Sequence, residues 1–181
     1  WISPKDGEAV NHKNIQFSNS ELLESGTISW TWVDGVDDPD SVHVMSLEGP
    51  ELSRNEFGPG LITNEPPLVD GGIYSISYVG FDPAGNESNH INIQNVLYDI
   101  TQPEITINYP LPKSISRTSA VTYTLSEDLD TGRFKWIWLG GVEDTLAPYT
   151  ALLTEAEKSE GKHSQIELVN NPQVVENARS E

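Results

Sequence analysis

The chain contains an internal repeat, and this repeat restricts its possible folds more than any other feature. Residues 17–38 read FSNSELLESGTISWTWVDGVDD, and residues 123–144 read YTLSEDLDTGRFKWIWLGGVED. At an offset of 106 residues the two windows share nine identities, including both members of a W-x-W pair. The sequence therefore predicts two tandem modules of about 100 residues, each long enough to bury a core of its own.

Short segments with a period of two residues predict an all-β fold. In residues 27–33, Ile28, Trp30 and Trp32 share one strand face, and residues 73–81 alternate similarly over IYSISYVGF. Turn clusters rich in Gly, Pro, Asp and Asn separate such segments, which is typical of a β-sandwich. Shorter strands are expected at residues 42–47 and 61–63, a turn at 58–60, and one helical turn at 154–159.

The boundary between the modules is predicted between residues 100 and 101, giving modules 1–100 and 101–181. The segment DITQP ends with Pro103, which cannot donate a ladder hydrogen bond and stiffens the joint. Residues 104–108, EITIN, alternate again and are expected to form the first strand of the second module. The short joint predicts a semi-rigid connection rather than a flexible tether.

The second module is predicted to lack its last two strands. Residues 168–176 resemble residues 61–70, but five residues follow where the first module has its IYSISYVGFDPAGN hairpin. Three interpretations stay open: the sequence stops before the module does, the module is shorter, or a strand from a neighbouring molecule completes it. Together with the abrupt start at Trp1, this pattern favours a fragment of a longer protein.

Composition excludes several functional classes. Acidic residues outnumber basic ones 28 to 10, giving a net charge of −18, so nucleic acid and anionic membranes are not expected partners. The chain has no cysteine, which rules out disulfides and thiol chemistry without fixing the compartment. No apolar run approaches the roughly 20 residues of a membrane span, so membrane insertion is not expected.

Several segments together resemble bacterial immunoglobulin-like repeats. The resemblance rests on three motifs: the S-E-x-L-x-x-G-x-(I/F)-x-W-x-W stretch, the aromatic strand that leads into DPAGN at residues 82–86, and the motif DITQP at residues 99–103. Such repeats stand in tandem in very large secreted or cell-surface proteins. The resemblance implies two tandem immunoglobulin-like β-sandwich domains, an extracellular location, and a spacer or adhesin role. Its implied partners are neighbouring repeats of the same chain, and also other surface proteins or glycans.

Large aromatic residues are the predicted core. A tryptophan on a central sandwich strand commonly faces the interior, and its burial contributes very roughly 3 kcal/mol. The alternative is a sugar-stacking platform, since side chains at i and i+2 lie about 7 Å apart on one face. Recurrence in both modules favours packing. The predicted core residues are Trp30, Trp32, Tyr74, Tyr78, Trp136 and Trp138.

Two acidic segments are candidate calcium sites, since calcium takes six to eight oxygen ligands. One is the turn that contains Asp34, Asp37 and Asp38. The other is at the module joint, where Asp99 is expected to meet Asp82, Asn86 or Glu87. A solvated acidic surface is the favoured interpretation of both segments, with calcium as the possible cofactor and no other expected.

The sequence gives no reason to expect catalysis. The four histidines lack metal-ligand spacing, and the carboxylate pairs fall in turns without an apolar pocket to raise a pKa. The expected function is therefore a non-catalytic spacer that supports adhesion or extracellular assembly. The alternatives are a carbohydrate-binding module with exposed aromatic residues, and a filament or surface-lattice subunit completed by strand addition.

Overall fold

The computed structural model describes residues 1–112, 119–166 and 178–180, and over these residues the protein is mostly β. Strands make up 47%, with no helix of seven or more residues within the described part. The chain forms two compact units, Trp1–Thr101 and Gln102–Glu181. The division falls one residue beyond the boundary expected from the sequence. Residues 168–176, which resemble residues 61–70, lie outside the described residues.

Unit 1 is built from seven strands and one short 3₁₀ helix, Gly49–Leu52. The strands are β1 (Ala9–Val10), β2 (Ile15–Asn19), β3 (Ser25–Gly35), β4 (His43–Ser46), β5 (Asn55–Gly60), β6 (Gly72–Phe81) and β7 (Ile91–Tyr98). Five of them form one sheet in the order β1-β7-β6-β3-β4, and β2 pairs with β5 in a second sheet. All neighbours are antiparallel except β1 and β7, which run parallel.

The core of unit 1 lies between these two sheets. Alternation puts Ile28 and Trp30 of β3 and Tyr74, Ile76 and Tyr78 of β6 on one buried face. The β2 sheet contributes a buried phenylalanine, Phe17, whose ring centroid lies 5.1 Å from that of Tyr78. The strict period of two in these segments is thus explained by burial on one side of each strand.

Unit 2 repeats this arrangement in part. Its strands are β8 (Ile105–Tyr109), β9 (Val121–Leu125), β10 (Arg133–Trp136), β11 (Trp138–Gly141), β12 (Tyr149–Leu152), β13 (Gly161–Ile166) and β14 (Ala178–Ser180). They form the sheets β13-β9-β8, β10-β12 and β11-β14. A 3₁₀ helix at Glu155–Glu157 lies in the segment where one helical turn was expected.

The offset of 106 residues holds in the strand registers. Phe17 pairs with Phe57 between β2 and β5, and Tyr123 pairs with His163 between β9 and β13. The backbone follows the same rule outside the strands, since the Leu47 amide donates to Gly26 O at 2.8 Å and the Leu153 amide to Gly132 O at 2.9 Å. The sequence repeat is therefore a repeat of backbone pairing.

The C-terminal strand β14 corrects the expectation that both last strands are missing. In unit 1, Gly35 pairs with Gly72 and Trp32 with Tyr74. In unit 2, Gly141 pairs with Ala178 and Trp138 with Ser180, at the same offset. Residues 178–180 are thus the counterpart of the start of β6. The similarity was not visible in the sequence, because only the backbone register is shared.

Two local expectations in unit 1 were wrong. Residues 61–63 are not a strand, and Gly58-Pro59-Gly60, expected as a turn, forms the end of β5. Gly58 has a φ of +90°, and a side chain there would overlap the Ile15 carbonyl of β2. The glycine therefore permits close pairing with β2 rather than chain reversal.

Candidate functional site

The W-x-W tryptophans divide into one core residue and three that are less buried. Trp30 is 1% exposed and its ring meets Tyr74 edge-on at 6.1 Å. Trp32 and Trp136 are half-buried against the cores of their units. Trp138 is 38% exposed, so its expected place in the core is wrong.

The position of Trp138 has a local cause. Its Nε1 donates to Val142 O at 3.0 Å, and Trp32 Nε1 donates to Val36 O at 2.9 Å. Both rings thus fold back over the turn that follows their own strand. The turn carbonyl therefore holds the indole N–H of the second tryptophan in each pair, and Trp32 also packs against the core of unit 1.

The tyrosines of β6 lie in the core of unit 1, Tyr74 at 0% and Tyr78 at 5% exposure. Tyr78 OH donates to Asn19 Oδ1. Asn19 Nδ2 in turn donates to Glu51 O at 3.0 Å. This chain of hydrogen bonds joins β6, β2 and the 3₁₀ helix through groups that would otherwise be buried without partners.

Asp38, a proposed calcium ligand, is a buried acceptor. Its Oδ2 accepts from Tyr74 OH and lies 2.7 Å from His43 Nε2, and its Oδ1 accepts from the Asp40 amide at 3.2 Å. Burial alone would raise the pKa of Asp38, but the hydrogen bonds from His43, Tyr74 and the Asp40 amide hold it below its usual value. Both oxygens are occupied by the protein, which disfavours metal coordination.

Unit 2 has the same buried carboxylate at the offset of 106 residues. Asp144 is 5% exposed and accepts from Tyr149 OH at 2.8 Å and from the Leu146 amide at 3.2 Å. Tyr149 occupies the position of His43 in the repeat. The identity Asp38/Asp144 is therefore explained by a structural carboxylate that anchors the turn after β3 and after β11.

The remaining acidic candidates lie on the surface. Asp34 Oδ1 accepts from the Gly35 amide at 2.8 Å, and Asp37 is exposed. In the DPAGN turn, Asp82 Oδ1 accepts from the amides of Ala84 and Asn86, both at 2.8 Å, and Oδ2 accepts from Asn86 Nδ2 at 2.7 Å. The Asn86 side chain, followed by these amides, lowers the pKa of Asp82. Asp82 therefore closes its own turn.

Asp99 does not meet Asp82 or Asn86. The DPAGN turn precedes β7, whereas Asp99 follows it, so the length of β7 separates them by about 25 Å at roughly 3.3 Å per residue. Asp99 Oδ1 instead accepts from the Thr101 amide at 3.0 Å. The joint site assembled from Asp99 and the preceding turn is therefore wrong, because the two lie at opposite ends of one strand.

The residue that holds the end of unit 1 is Asp70, which the sequence did not single out. Its Oδ1 accepts from the Ile100 amide at 2.8 Å and its Oδ2 from Thr101 Oγ1 at 2.7 Å. The hydrogen bond from Ile100, followed by that from Thr101, lowers the pKa of Asp70. Asp70 thus fixes the last residues of unit 1 to the turn before β6.

Neither the surface depression of unit 1 nor the clusters of charged residues forms a clear ligand site among the described residues. A depression of about 310 Å³ in unit 1 is lined by Glu8, His12 and Asp99, among others. Across the part of the chain that the structure describes, no three His, Cys, Asp or Glu side chains are grouped to hold a metal ion. Within those same residues, no helix has the length and apolar character needed to cross a membrane.

Comparisons with family models, with curated proteins and with solved structures find no match for this chain.

Proposed function

We propose that the chain comprises two tandem immunoglobulin-like β-sandwich modules that act as a non-catalytic spacer in a bacterial cell-surface or secreted repeat protein. The observation that carries this proposal is the repetition of strand registers at an offset of 106 residues. Repetition of a whole module is what a chain needs to gain length by adding units. The resemblance to bacterial immunoglobulin-like repeats supplies the extracellular location and the link to adhesion or assembly.

The strand pairing of unit 1 supports the immunoglobulin-like assignment. Its second and fifth strands pair in one sheet, while the third, sixth and seventh share the other, as the B, E, C, F and G strands do in that fold. Trp30 is a buried tryptophan on the strand equivalent to C. Tyr74 OH accepts from the Val69 amide at 2.8 Å, which corresponds to the tyrosine corner before strand F.

The contacts of Asp70 support the spacer role. A spacer transmits position only if the segment leaving each module is held, and Asp70 holds Ile100 and Thr101 through two hydrogen bonds. The net charge of −18 keeps such modules soluble and discourages collapse onto one another at low salt. The mechanism is therefore geometric, and it needs no reacting group.

Distance measurements between two spin labels test this role. The chain has no cysteine, so Val44→Cys and Leu146→Cys, at residues 61% and 75% exposed, give one label in each unit. We expect a narrow distance distribution in the labelled chain and a broader one after Asp70→Ala. The control Asp40→Ala, an exposed residue, should leave the distribution unchanged. A broad distribution before any change at Asp70 would contradict a spacer with a fixed joint.

A carbohydrate-binding role is the second candidate, and the exposure of Trp138 favours it. The indole N–H is committed to Val142 O, so a sugar would contact the exposed part of this side chain by stacking rather than through the N–H. Tryptophan fluorescence during titration with glycans tests this role, and Trp138→Ala should abolish any response. Absence of a response in the unmodified chain would remove the candidate.

A further inference from the structure

Three Asp-Gly links occur in the sequence, and all three lie in unit 1. They are Asp6-Gly7, Asp34-Gly35 and Asp70-Gly71. In such a link the glycine amide nitrogen can attack the aspartate side chain, because glycine has no side chain to hinder the approach. The structure holds the three links in different ways, and this difference determines which of them can react.

At Asp34-Gly35 the two reacting groups already contact each other. The Gly35 amide donates to Asp34 Oδ1 at 2.8 Å, so the carboxyl group lies against the nitrogen that would attack it. Both residues are exposed, at the end of β3. Reacting groups held about 3–3.5 Å apart gain rate from proximity alone. This link is therefore positioned for an intramolecular attack.

At Asp6-Gly7 the same two groups are held by β7 instead. The Gly7 amide donates to Gln94 O at 2.9 Å, and Asp6 Oδ1 accepts from the Gln94 amide at 2.7 Å. Attack would require both of these hydrogen bonds to break, which costs free energy. The carboxyl group and the glycine nitrogen of this link are thus kept from each other.

Asp70-Gly71 is held in a similar way at the end of unit 1. The Gly71 amide donates to Tyr98 O at 2.8 Å, while the Asp70 carboxylate accepts from Ile100 and Thr101. The hydrogen bonds from Ile100 and Thr101, and more weakly one from Gly71, lower the pKa of Asp70. The carboxyl group therefore stays ionised, and an ionised carboxylate is a poor target for a nucleophile.

Packing keeps a glycine at position 35. The φ of Gly35 is +76°, and a side chain there would overlap the carbonyl oxygen of Gly71. Position 34 is under no such demand in the repeat, since its counterpart in unit 2 is Gly140. The fold of unit 1 therefore requires the residue that leaves the link open to attack, whereas unit 2 has no carboxyl group at this place.

We propose that Asp34-Gly35 is a site of spontaneous modification in the folded protein, at which aspartate converts to isoaspartate. The Gly35 nitrogen loses its proton and bonds to Cγ of Asp34, the carboxylic acid loses its hydroxyl group as water, and a five-membered succinimide ring results. Water then opens the ring. Attack at one carbonyl restores aspartate, and attack at the other breaks the original peptide bond and leaves the chain linked through Cγ. The reaction consumes no oxidant or reductant.

The product would disturb the end of β3. Isoaspartate adds one carbon to the main chain before Gly35, which lengthens it by about 1.5 Å. Two hydrogen bonds lie across this insertion, from the Val36 amide to Gly71 O and from Trp32 Nε1 to Val36 O, both at 2.9 Å. Modification should therefore loosen the turn that follows β3.

Ageing of the full chain tests the site. The folded protein is kept at physiological temperature and neutral pH for several weeks and digested, and isoaspartate in each Asp-Gly peptide is measured by enzymatic methylation and mass spectrometry. We expect at least about fivefold more isoaspartate at Asp34 than at Asp6 or Asp70, a factor that one net hydrogen bond supplies. In a sample aged in urea these hydrogen bonds are absent, so the three links should react at similar rates.

Substitutions at position 34 test the chemistry. Asp34→Glu keeps the charge but would need a six-membered ring, so the isoaspartate at this link should disappear. Asp34→Asn has a better leaving group and should release ammonia as the ring closes. Asp6→Asn is the matched control, because its glycine amide still donates to Gln94 O. It should release ammonia at least about fivefold more slowly than Asp34→Asn.

The proposal is overturned if the folded chain accumulates no more isoaspartate at Asp34 than at Asp6 or Asp70, or if Asp34→Asn releases ammonia no faster than Asp6→Asn. It is also overturned if the sample in urea shows the same preference for Asp34, because the preference would then come from the sequence rather than from the fold. Each of these results leaves the spacer role intact, because that role is judged by the spin-label distances and the Asp70→Ala variant.

Discussion

Buried polar residues determine how each module holds its turns. Asp38 joins the turn after β3 to Tyr74 of β6 and to His43 of β4. Tyr74 is 36 residues and His43 is 5 residues from Asp38 in sequence. The repetition of the aspartate is visible in the sequence, but its hydrogen-bonding role is not, because folding brings these partners to it. What appeared to be a calcium ligand is an internal acceptor.

Asp38→Ala should destabilise unit 1 by about 1–3 kcal/mol, because it leaves the hydroxyl of Tyr74 and the ring of His43 buried with a lost acceptor. Urea unfolding measures the free-energy change. Asp37→Ala, at an exposed neighbouring position, should change stability by less than about 0.5 kcal/mol. Equal effects of the two substitutions would contradict a buried structural role for Asp38.

Calcium binding by the exposed aspartates can be measured directly. A bound ion would raise the melting temperature at millimolar calcium, and Asp34 and Asp37 are the candidates whose side chains lie at the surface. Because Asp38 and Asp82 have their oxygens engaged within the protein, we expect no change in melting temperature. A rise that Asp34→Ala or Asp37→Ala removes would establish the site.

Three buried tyrosines predict a loss of stability at alkaline pH. Burial, ahead of other causes, raises the pKa of Tyr74, Tyr78 and Tyr123 to about 12, against about 10 in the unfolded chain. The unfolded state therefore releases protons first, and stability that is complete below pH 10 falls between pH 10 and 12, by about 1.4 kcal/mol per pH unit for each tyrosine. Tyr78→Phe should make this decline shallower, and a flat profile would contradict it.

At the scale of strands, two close approaches are repeated. A Cβ on Gly26 would meet Leu47 Cδ1 at 2.9 Å, and one on Gly132 would meet Leu153 Cδ1 at 2.7 Å. Leu47 follows β4, which borders β3, and Leu153 follows β12, which borders β10. The backbone amide of each leucine donates to the carbonyl of the glycine that its side chain approaches, Leu47 to Gly26 and Leu153 to Gly132. The close approach of a leucine side chain to each glycine explains why Gly26 and Gly132 are among the nine sequence identities.

Gly26→Ala should destabilise unit 1 by about 1–3 kcal/mol through overpacking, because Leu47 is buried and the Val79 carbonyl oxygen would lie 3.3 Å from the added Cβ. Chemical denaturation followed by circular dichroism measures this. Gly60→Ala serves as control, because its Cβ would approach no atom closer than 3.9 Å. A destabilisation by Gly60→Ala as large as that by Gly26→Ala would show that crowding at Leu47 is not the cause.

Strands with strict alternation were predictable, and those shaped by local exceptions were not. β3 and β6 stood out because burial on one face imposes a period of two. β5 did not, because Gly58 and Pro59 are typical turn residues, and here they form an irregularity in the pairing with β2, where Gly58 approaches the Ile15 carbonyl. In the same way, Asp70 lacked any sequence signal, since its partners Ile100 and Thr101 are brought to it by the pairing of β6 with β7.

At the scale of the whole molecule, the described parts of the two units bury cores of different extent. Unit 1 buries aromatic and aliphatic residues from both of its sheets. Among the described residues of unit 2, the buried cluster comprises Val121, Tyr123, Leu125 and Ala151. Hydrophobic stabilisation grows with the apolar area buried, at about 25 cal/mol per Å².

We therefore expect two unfolding transitions, with unit 2 unfolding first. Hydrogen exchange in increasing urea assigns each transition, because the amides of β9 and β3 report on separate units. A single transition in which both sets of amides exchange together would show that the units unfold cooperatively.

The hydrogen bonds of Asn19 also bear on how a repeated chain keeps its strands apart while it folds. β2 and β9 have interchangeable registers, so either could enter the partner module's sheet by mistake. Leu125 stands in unit 2 where Asn19 stands in unit 1. If β2 were misplaced into unit 2, the side-chain amide of Asn19 would lie in an apolar site without its hydrogen-bond partner Tyr78. If β9 were misplaced into unit 1, the Tyr78 hydroxyl would lose its acceptor, because Leu125 cannot accept a hydrogen bond. Asn19 thus distinguishes two strands that share one pairing register.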